Sequence, residues 1–170
     1  GFEGVNLSDH LLFSADREEL ACVRLRSLRL PGLGLCGKIP LGLSSCTRLE
    51  VLELHDNNLL GNIPETFSKL AMLTTLSLHG NKLDGDVPTE ALSALSRLSM
   101  LTLGGDLGGN EGLRVSRTAL KSLEQALPSH AEVCPPSNIT EGADQPGSKG
   151  EAIGSEAVPS TNVEREASKT

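Results

Sequence analysis

Apolar residues recur along the middle of the chain at a fixed spacing. Leu25, Leu28, Leu30, Leu35, Gly37, Ile39 and Pro40 are followed 24 residues later by Leu49, Leu52, Leu54, Leu59, Gly61, Ile63 and Pro64. A further 24 residues on stand Leu73, Leu76, Leu78, Leu83, Gly85, Val87 and Pro88. Seven positions agreeing across three units define an internal repeat, and a unit this short cannot bury its own leucines, so neighbouring units must stack. Leucines at period two, such as Leu52 and Leu54, suit a short strand with one buried face. Gly61 and Pro64 stop any helix and turn the chain. Coils stacked about 5 Å apart, the spacing of paired strands, would share one continuous aliphatic core.

The period also locates its own irregularities. A fourth unit begins one residue late, at Leu98, Leu101 and Leu103, then loses the pattern over residues 104–109. Leu43 and Phe67 are 24 apart, as are Cys46 and Leu70, but the next counterparts, Leu92 and Leu95, come 25 later. The extra residue therefore falls near Thr89 or Glu90, where a loop outside the core is expected to absorb it. At the N-terminus Ser14 is placed to cap a short helix whose first turn is acidic. At the other end Ser116 precedes Leu120, Leu123 and Leu127 at amphipathic spacing, which predicts a closing helix ended by Pro128. From Pro135 onward 36 residues contain no leucine and no aromatic residue. Such a segment buries too little to offset the entropy of ordering it, and a disordered tail or linker is expected. The expected organisation is thus a degenerate cap over 1–24, repeats over 25–110, a capping helix within 111–134 and a tail over 135–170.

The unit LxxLxLxxNxLxGxIP, seen in the run from Leu73 through Asn81, Leu83, Gly85 and Val87 to Pro88, resembles the plant-type leucine-rich repeat. The resemblance covers about half of the chain. It implies an α/β solenoid of about four coils, with a short parallel β-sheet on the concave side and irregular or 3-10 turns on the convex side. It assigns Asn57 and Asn81 the structural role of bonding the backbone of neighbouring turns. The first unit has Leu33 at that place and the last has Asp106, so only the two central coils look fully regular. The opening run from Phe2 through Gly4 to Val5 is similar to the N-terminal cap of plant receptor ectodomains, with Phe2 and Leu7 in place of that cap's Trp and Cys.

Composition narrows the function. The 22 acidic against 15 basic residues leave a formal charge of −7, which argues against a nucleic-acid partner, since phosphates require cations. Aromatic residues are only 2% of the chain, so its 31 leucines must supply the core. No apolar run is long enough to span a membrane. Cys22, Cys36, Cys46 and Cys134 show no zinc-type spacing. Cys22 and Cys46 are 24 apart and should be spatial neighbours; with both Cβ atoms pointing inward, two buried thiols are favoured over a bond. Two sequons, at Asn6 and Asn138, are candidate glycosylation sites outside the regular coils. They and the resemblance favour an extracellular or cell-surface location over a cytoplasmic one.

No catalytic motif groups the nucleophilic, basic and acidic residues, so neither an enzyme nor a cofactor is expected. The strand positions facing the concave side run Ser27, Arg29 and Pro31, then Val51, Glu53 and His55, then Thr75, Ser77 and His79, then Met100, Thr102 and Gly104. Arg29 and Glu53 stack, as do Arg26 and Glu50, and read as cross-strand pairs. His55 and His79 should lie about 5 Å apart by the strand spacing. Their column, from Pro31 to Gly104, offers no carboxylate and no third histidine, so no metal is expected. By resemblance the chain is a non-catalytic module binding a protein or peptide, with Arg29, Glu53, His55, Ser77 and His79 as the central contacts. The alternatives are a spacer segment of a longer solenoid, or an ectodomain fragment of a receptor kinase whose catalytic domain lies elsewhere.

Overall fold

A computed structural model of the chain describes residues 24–141. The expected N-terminal cap with its Ser14 helix, the Asn6 sequon, Cys22 and the tail from residue 142 lie outside the described residues.

Ten short strands form two parallel sheets of five. The first sheet takes one strand from each coil: β1 (Ser27–Arg29), β3 (Val51–Glu53), β5 (Thr75–Ser77), β7 (Met100–Thr102) and β9 (Glu132–Cys134). Its register follows the period, with Leu28 beside Leu52, Leu52 beside Leu76, and Leu76 beside Leu101. This is the concave sheet that the leucine spacing predicts.

The second sheet, unlike the first, was hidden in the turns. β2 (Cys36–Lys38), β4 (Asn58–Gly61), β6 (Lys82–Asp86), β8 (Gly112–Ser116) and β10 (Asn138–Thr140) run side by side after each concave strand. Gly37, Gly61 and Gly85 hold the same place in their coils with φ of 82°, 74° and 81°. A residue with a Cβ takes that conformation only at a cost, which is why the repeat carries glycine there. The glycine does not simply end the strand; it bends a second one.

On the convex side the first two coils close with 3-10 helices, Leu41–Ser45 and Glu65–Lys69, and the third with an α-helical turn, Thr89–Ser93. The twenty-fifth residue explains the change. Leu43 and Phe67 donate their backbone N–H to the carbonyl three residues back, at Pro40 and Pro64, whereas Leu92 reaches four back to Pro88. The extra residue near Thr89 is taken up by widening a 3-10 turn into an α turn, and Leu92 remains fully buried where Leu43 and Phe67 stand.

The helix Arg117–Ala126 forms as its spacing predicts, with the Ser116 hydroxyl accepting from the Ala119 N–H at 3.1 Å. It does not close the stack. It packs against the Thr89–Ser93 helix as the convex turn of the fourth coil, and a fifth coil follows. In that coil β9 pairs with β7, and β10 pairs with β8. The boundary expected at Pro135 therefore falls inside a coil. That coil has Val133 where the others have leucine, and Ile139 beside Val115, so it contains none of the leucines that mark the repeat.

The core is one aliphatic column between the layers. Leu49, Leu52, Leu54, Leu73, Leu76, Leu78, Leu98 and Leu101 are fully buried, and Phe67 is the only aromatic residue within it among the described residues. Cys46 is buried in this column and is disulfide-bonded, which overturns the expectation of a buried thiol there; Cys36 and Cys134 are thiols outside any disulfide.

Candidate functional site

Strands β1, β3 and β5 carry their odd-numbered side chains outward because their even-numbered leucines are committed to the core, and the extra residue before β7 reverses the parity there, where Leu101 is buried and Met100 exposed. Three hydrogen-bonded strands thereby bring Arg29, Glu53 and Ser77 into one row. Arg29 Nε lies 3.5 Å from Glu53 Oε1, and one row earlier Arg26 Nη1 lies 2.7 Å from Glu50 Oε1. Both pairs are well exposed and worth a few tenths of a kcal/mol. Their use is to hold two long side chains in place on the face.

Just past the strand ends the chain is fixed from below by asparagines. Asn57 Nδ2 donates to the carbonyls of Leu54 in its own coil and Leu30 in the preceding one, at 2.9 and 2.8 Å. Asn57 Oδ1 accepts from the Leu35 N–H at 3.0 Å. Asn81 repeats this with Leu78, Leu54 and Leu59. These side chains are 6% and 4% exposed, so the bonds are shielded from water and the strand ends are held rigidly.

His55 and His79 stand on that platform. Their ring centroids are 4.6 Å apart and their planes differ by 8°, a stacked pair. Each ring is held at Nδ1. His55 Nδ1 lies 3.0 Å from Asp56 Oδ2, and because a carboxylate only accepts, Nδ1 carries the proton. His79 Nδ1 lies 3.0 Å from Thr102 Oγ1 and 3.2 Å from Ser77 Oγ, and the two hydroxyls are 2.8 Å apart. Burial holds the His79 pKa below its ordinary 6.5, His55 lowers it further, and Asp56 opposes both. The ring is thus neutral at neutral pH.

Asp56 stands outside the column of equivalent positions that runs from Pro31 to Gly104: the carboxylate comes from the next residue along the chain. Its backbone is left-handed, with φ of 57°, where the flanking coils place Gly32 at 63° and Gly80 at 66°. Asp tolerates this region better than most residues but still at a cost.

Of the five expected contacts, Arg29, Glu53, His55 and His79 are at least partly exposed together on this face. Ser77 is different. It is 4% exposed and its hydroxyl is engaged with Thr102 and His79, so it positions the ring instead of presenting itself. Asn138, expected outside the regular coils, is exposed on β10, where its Nδ2 donates to the Glu111 carbonyl at 2.7 Å. A cavity of about 980 Å³ lies away from this face, beside the convex turns; Glu65, Asp86 and Glu90 line it and it holds no histidine or cation. Among the described residues no helix is long and apolar enough to cross a membrane.

Comparison with known proteins agrees with this architecture. The leucine rich repeat family model matches residues 47–107. No curated protein matches the sequence. Among solved structures the chain is similar to one in the BIR3–SERK2 complex from Arabidopsis thaliana, at 32% identity over 70% of this chain and 62% of that one, with a TM-score of 0.53. It is also similar to the LRR ectodomain of the receptor kinase SOBIR1 from Arabidopsis thaliana, at 27% identity over 68% of this chain and 58% of that one, TM-score 0.53. A third is the LRR ectodomain of the plant membrane receptor kinase GASSHO1/SCHENGEN3 from Arabidopsis thaliana in complex with CASPARIAN STRIP INTEGRITY FACTOR 2. There identity is 26% over 68% of this chain and 16% of that one, TM-score 0.50. The chain spans less than two thirds of the length of each of these structures. Two parallel sheets per stack, asparagines bonding successive coils, the Gly-x-Ile-Pro turn and these likenesses together identify the chain as a plant-type leucine-rich-repeat protein.

Proposed function

We propose that this chain is a non-catalytic module that binds a protein or peptide on its concave sheet, within a cell-surface receptor-like or secreted recognition protein. The observation that carries this reading is the division of labour along each strand. The strand leucines are spent on the core and the asparagines on the coil ends, while Arg29, Glu53, His55 and His79 face outward from that core. Side chains on a rigid scaffold that are free of structural work are the ones available for recognition. Two of the similar ectodomains are described in complexes, one with a second protein and one with CASPARIAN STRIP INTEGRITY FACTOR 2, which supports the class of partner.

Ser77 belongs to this reading as the residue that steadies His79. The Cys46 disulfide supports an oxidising compartment, where such bonds persist. Asn138 would carry a glycan there, since one amide hydrogen remains for Glu111 after N-linkage. Four or five residues on adjacent strands cover a few hundred Å², less than the roughly 800 Å² per partner of a standard interface, so affinity from this face alone is micromolar or weaker. Replacing Arg29, Glu53 and His55 together by Ala should leave the thermal midpoint nearly unchanged and lower affinity for a partner isolated by pulldown. Binding that survives this change and is lost on deleting residues 142–170 would move recognition to the tail.

A further inference from the structure

The stacked histidines lie beside a carboxylate whose placement the fold does not require. One ligand atom each from His55, Asp56 and His79 lies within 4.8 Å of the others. Neither ring has a hydrogen bond at Nε2 among the described residues, because the bonds to both rings go to Nδ1. A histidine whose Nδ1 is held by a carboxylate or hydroxyl, with Nε2 left as a free lone pair, is the arrangement found in metal-ligating imidazoles.

The backbone around Asp56 makes the same point independently. A repeat that puts glycine at this place in the coils before and after instead puts a charged residue here, in the left-handed region. Room for it exists because the next coil has no side chain: a Cβ on Gly80 would fall on Asp56 Oδ1, and 3.0 Å from the Asp56 backbone N and Cα. Gly80 thus forms a cradle under the carboxylate. A departure from the repeat that costs conformational energy and sets a carboxylate beside two stacked imidazoles is a feature of a site, not of the solenoid.

We propose that His55, Asp56 and His79 form a binding site for a divalent transition-metal ion of the imidazole-preferring class, such as Zn²⁺, Cu²⁺ or Ni²⁺. Two nitrogens and one carboxylate suit those ions over Mg²⁺ or Ca²⁺, which take all-oxygen sets. Two nitrogens on one tetrahedral ion at about 2.0–2.1 Å are about 3.3 Å apart, so the rings would turn slightly from their present stack to close on it. Remaining coordination positions would be open at the mouth of the concave face, beside Arg29 and Glu53. The site goes beyond the binding reading and does not depend on it.

The test is calorimetric titration of the full chain with Zn²⁺ near neutral pH, with Cys36 and Cys134 alkylated so that thiols do not compete. One saturable equivalent is expected. His55→Ala and His79→Ala should each weaken it at least about tenfold, and Asp56→Gly by about ten- to a hundredfold. Asp56→Gly restores the residue that flanking coils use, so its thermal midpoint should stay within a few degrees of the parent and a loss of binding is not a loss of fold. A nuclear magnetic resonance titration with Ni²⁺ adds a second readout: the His55 and His79 ring signals should broaden before that of His130. Absence of a saturable equivalent, or an affinity unchanged in the double variant His55→Ala/His79→Ala, would overturn the site.

Discussion

Asn110 donates to the carbonyl of Leu78 at 2.8 Å, completing for the fourth coil the bond that Asn81 makes to Leu54 and Asn57 to Leu30. It also donates to Leu103 at 2.7 Å and accepts from the Leu83 N–H at 2.9 Å, and it is 1% exposed. Asn57 and Asn81 stand three residues after Leu54 and Leu78, whereas Asn110 stands seven after Leu103. Four inserted residues, containing the short 3-10 helix Gly105–Leu107, are looped out so that the amide still arrives at its place.

Removing the Asn110 amide leaves the Leu103 carbonyl and the Leu83 N–H without that partner in the interior, while the Leu78 carbonyl keeps its bond from Asn81. Removing Asn81 orphans the Leu59 N–H, while the Leu54 and Leu78 carbonyls keep their bonds from Asn57 and Asn110. Each orphaned group costs about 1–3 kcal/mol, so Asn110→Ala should destabilise by about 2 kcal/mol or more and Asn81→Ala by about 1 kcal/mol or more, by chemical denaturation. Asn81→Asp is the sharper variant, since it keeps the acceptor and loses both donated bonds. It should be no better than Asn81→Ala. An Asp variant close to the parent in stability would show that the donated bonds matter little.

Disulfide content gives a second expectation. With Cys46 in a disulfide and Cys36 and Cys134 outside any, the denatured, unreduced chain should yield two titratable thiols, and four after reduction. Four thiols before reduction would contradict the bonded state of Cys46.

The period made legible whatever repeats at fixed count: the leucine column, the strand register and the nearness of His55 to His79. It hid what the fold keeps constant in space while the residue count changes. Asn110 is displaced by an insertion, Leu92 by a change of helix type, and the fifth coil uses Val133 and Ile139, with Met100 and its partner Glu132 standing 32 positions apart. Strand spacing is set by backbone hydrogen bonds and is indifferent to the length of chain between strands. Asp56 was missed for another reason. Its proximity to His79 depends on a left-handed backbone turn, and at this position a sequence of alternating coils shows only an Asp between two glycines.

Acidification should weaken the fold through His79. Its pKa in the folded chain is lowered, first by burial and then by His55, so the folded state binds its proton less readily than the unfolded state. Below 6.5 the unfolded chain is protonated first, and stability falls as pH falls through the lowered value; above 6.5 the contribution is fully present. In chelator-treated buffer the thermal midpoint should therefore drop on acidification below 6.5, and His79→Gln should flatten that drop. The His79 ring signal should titrate below 6.5, and lower still in Asp56→Gly, because Asp56 is the group that raises it. A midpoint above 6.5 would reverse the sign.

The final expectation concerns the contact between Gly80 and Asp56. Alanine at position 80 meets two separate obstacles. The backbone there has φ of 66°, which costs a residue with a Cβ about 1–2 kcal/mol. The new Cβ also falls on Asp56 Oδ1, and the carboxylate cannot turn away without disturbing the 3.0 Å bond that its Oδ2 makes to the His55 ring. Only the second obstacle depends on Asp56. In the Asp56→Gly background the carboxylate is gone while the backbone conformation and the 3.0 Å approach to the Asp56 main chain remain. Gly80→Ala should thus cost about 2–3 kcal/mol in the parent and about 1 kcal/mol less in Asp56→Gly, a coupling within the range for residues in contact. Denaturation of the four chains of this cycle measures it. Strict additivity would mean that the carboxylate swings aside freely, and the cradle under Asp56 would then be incidental to its position.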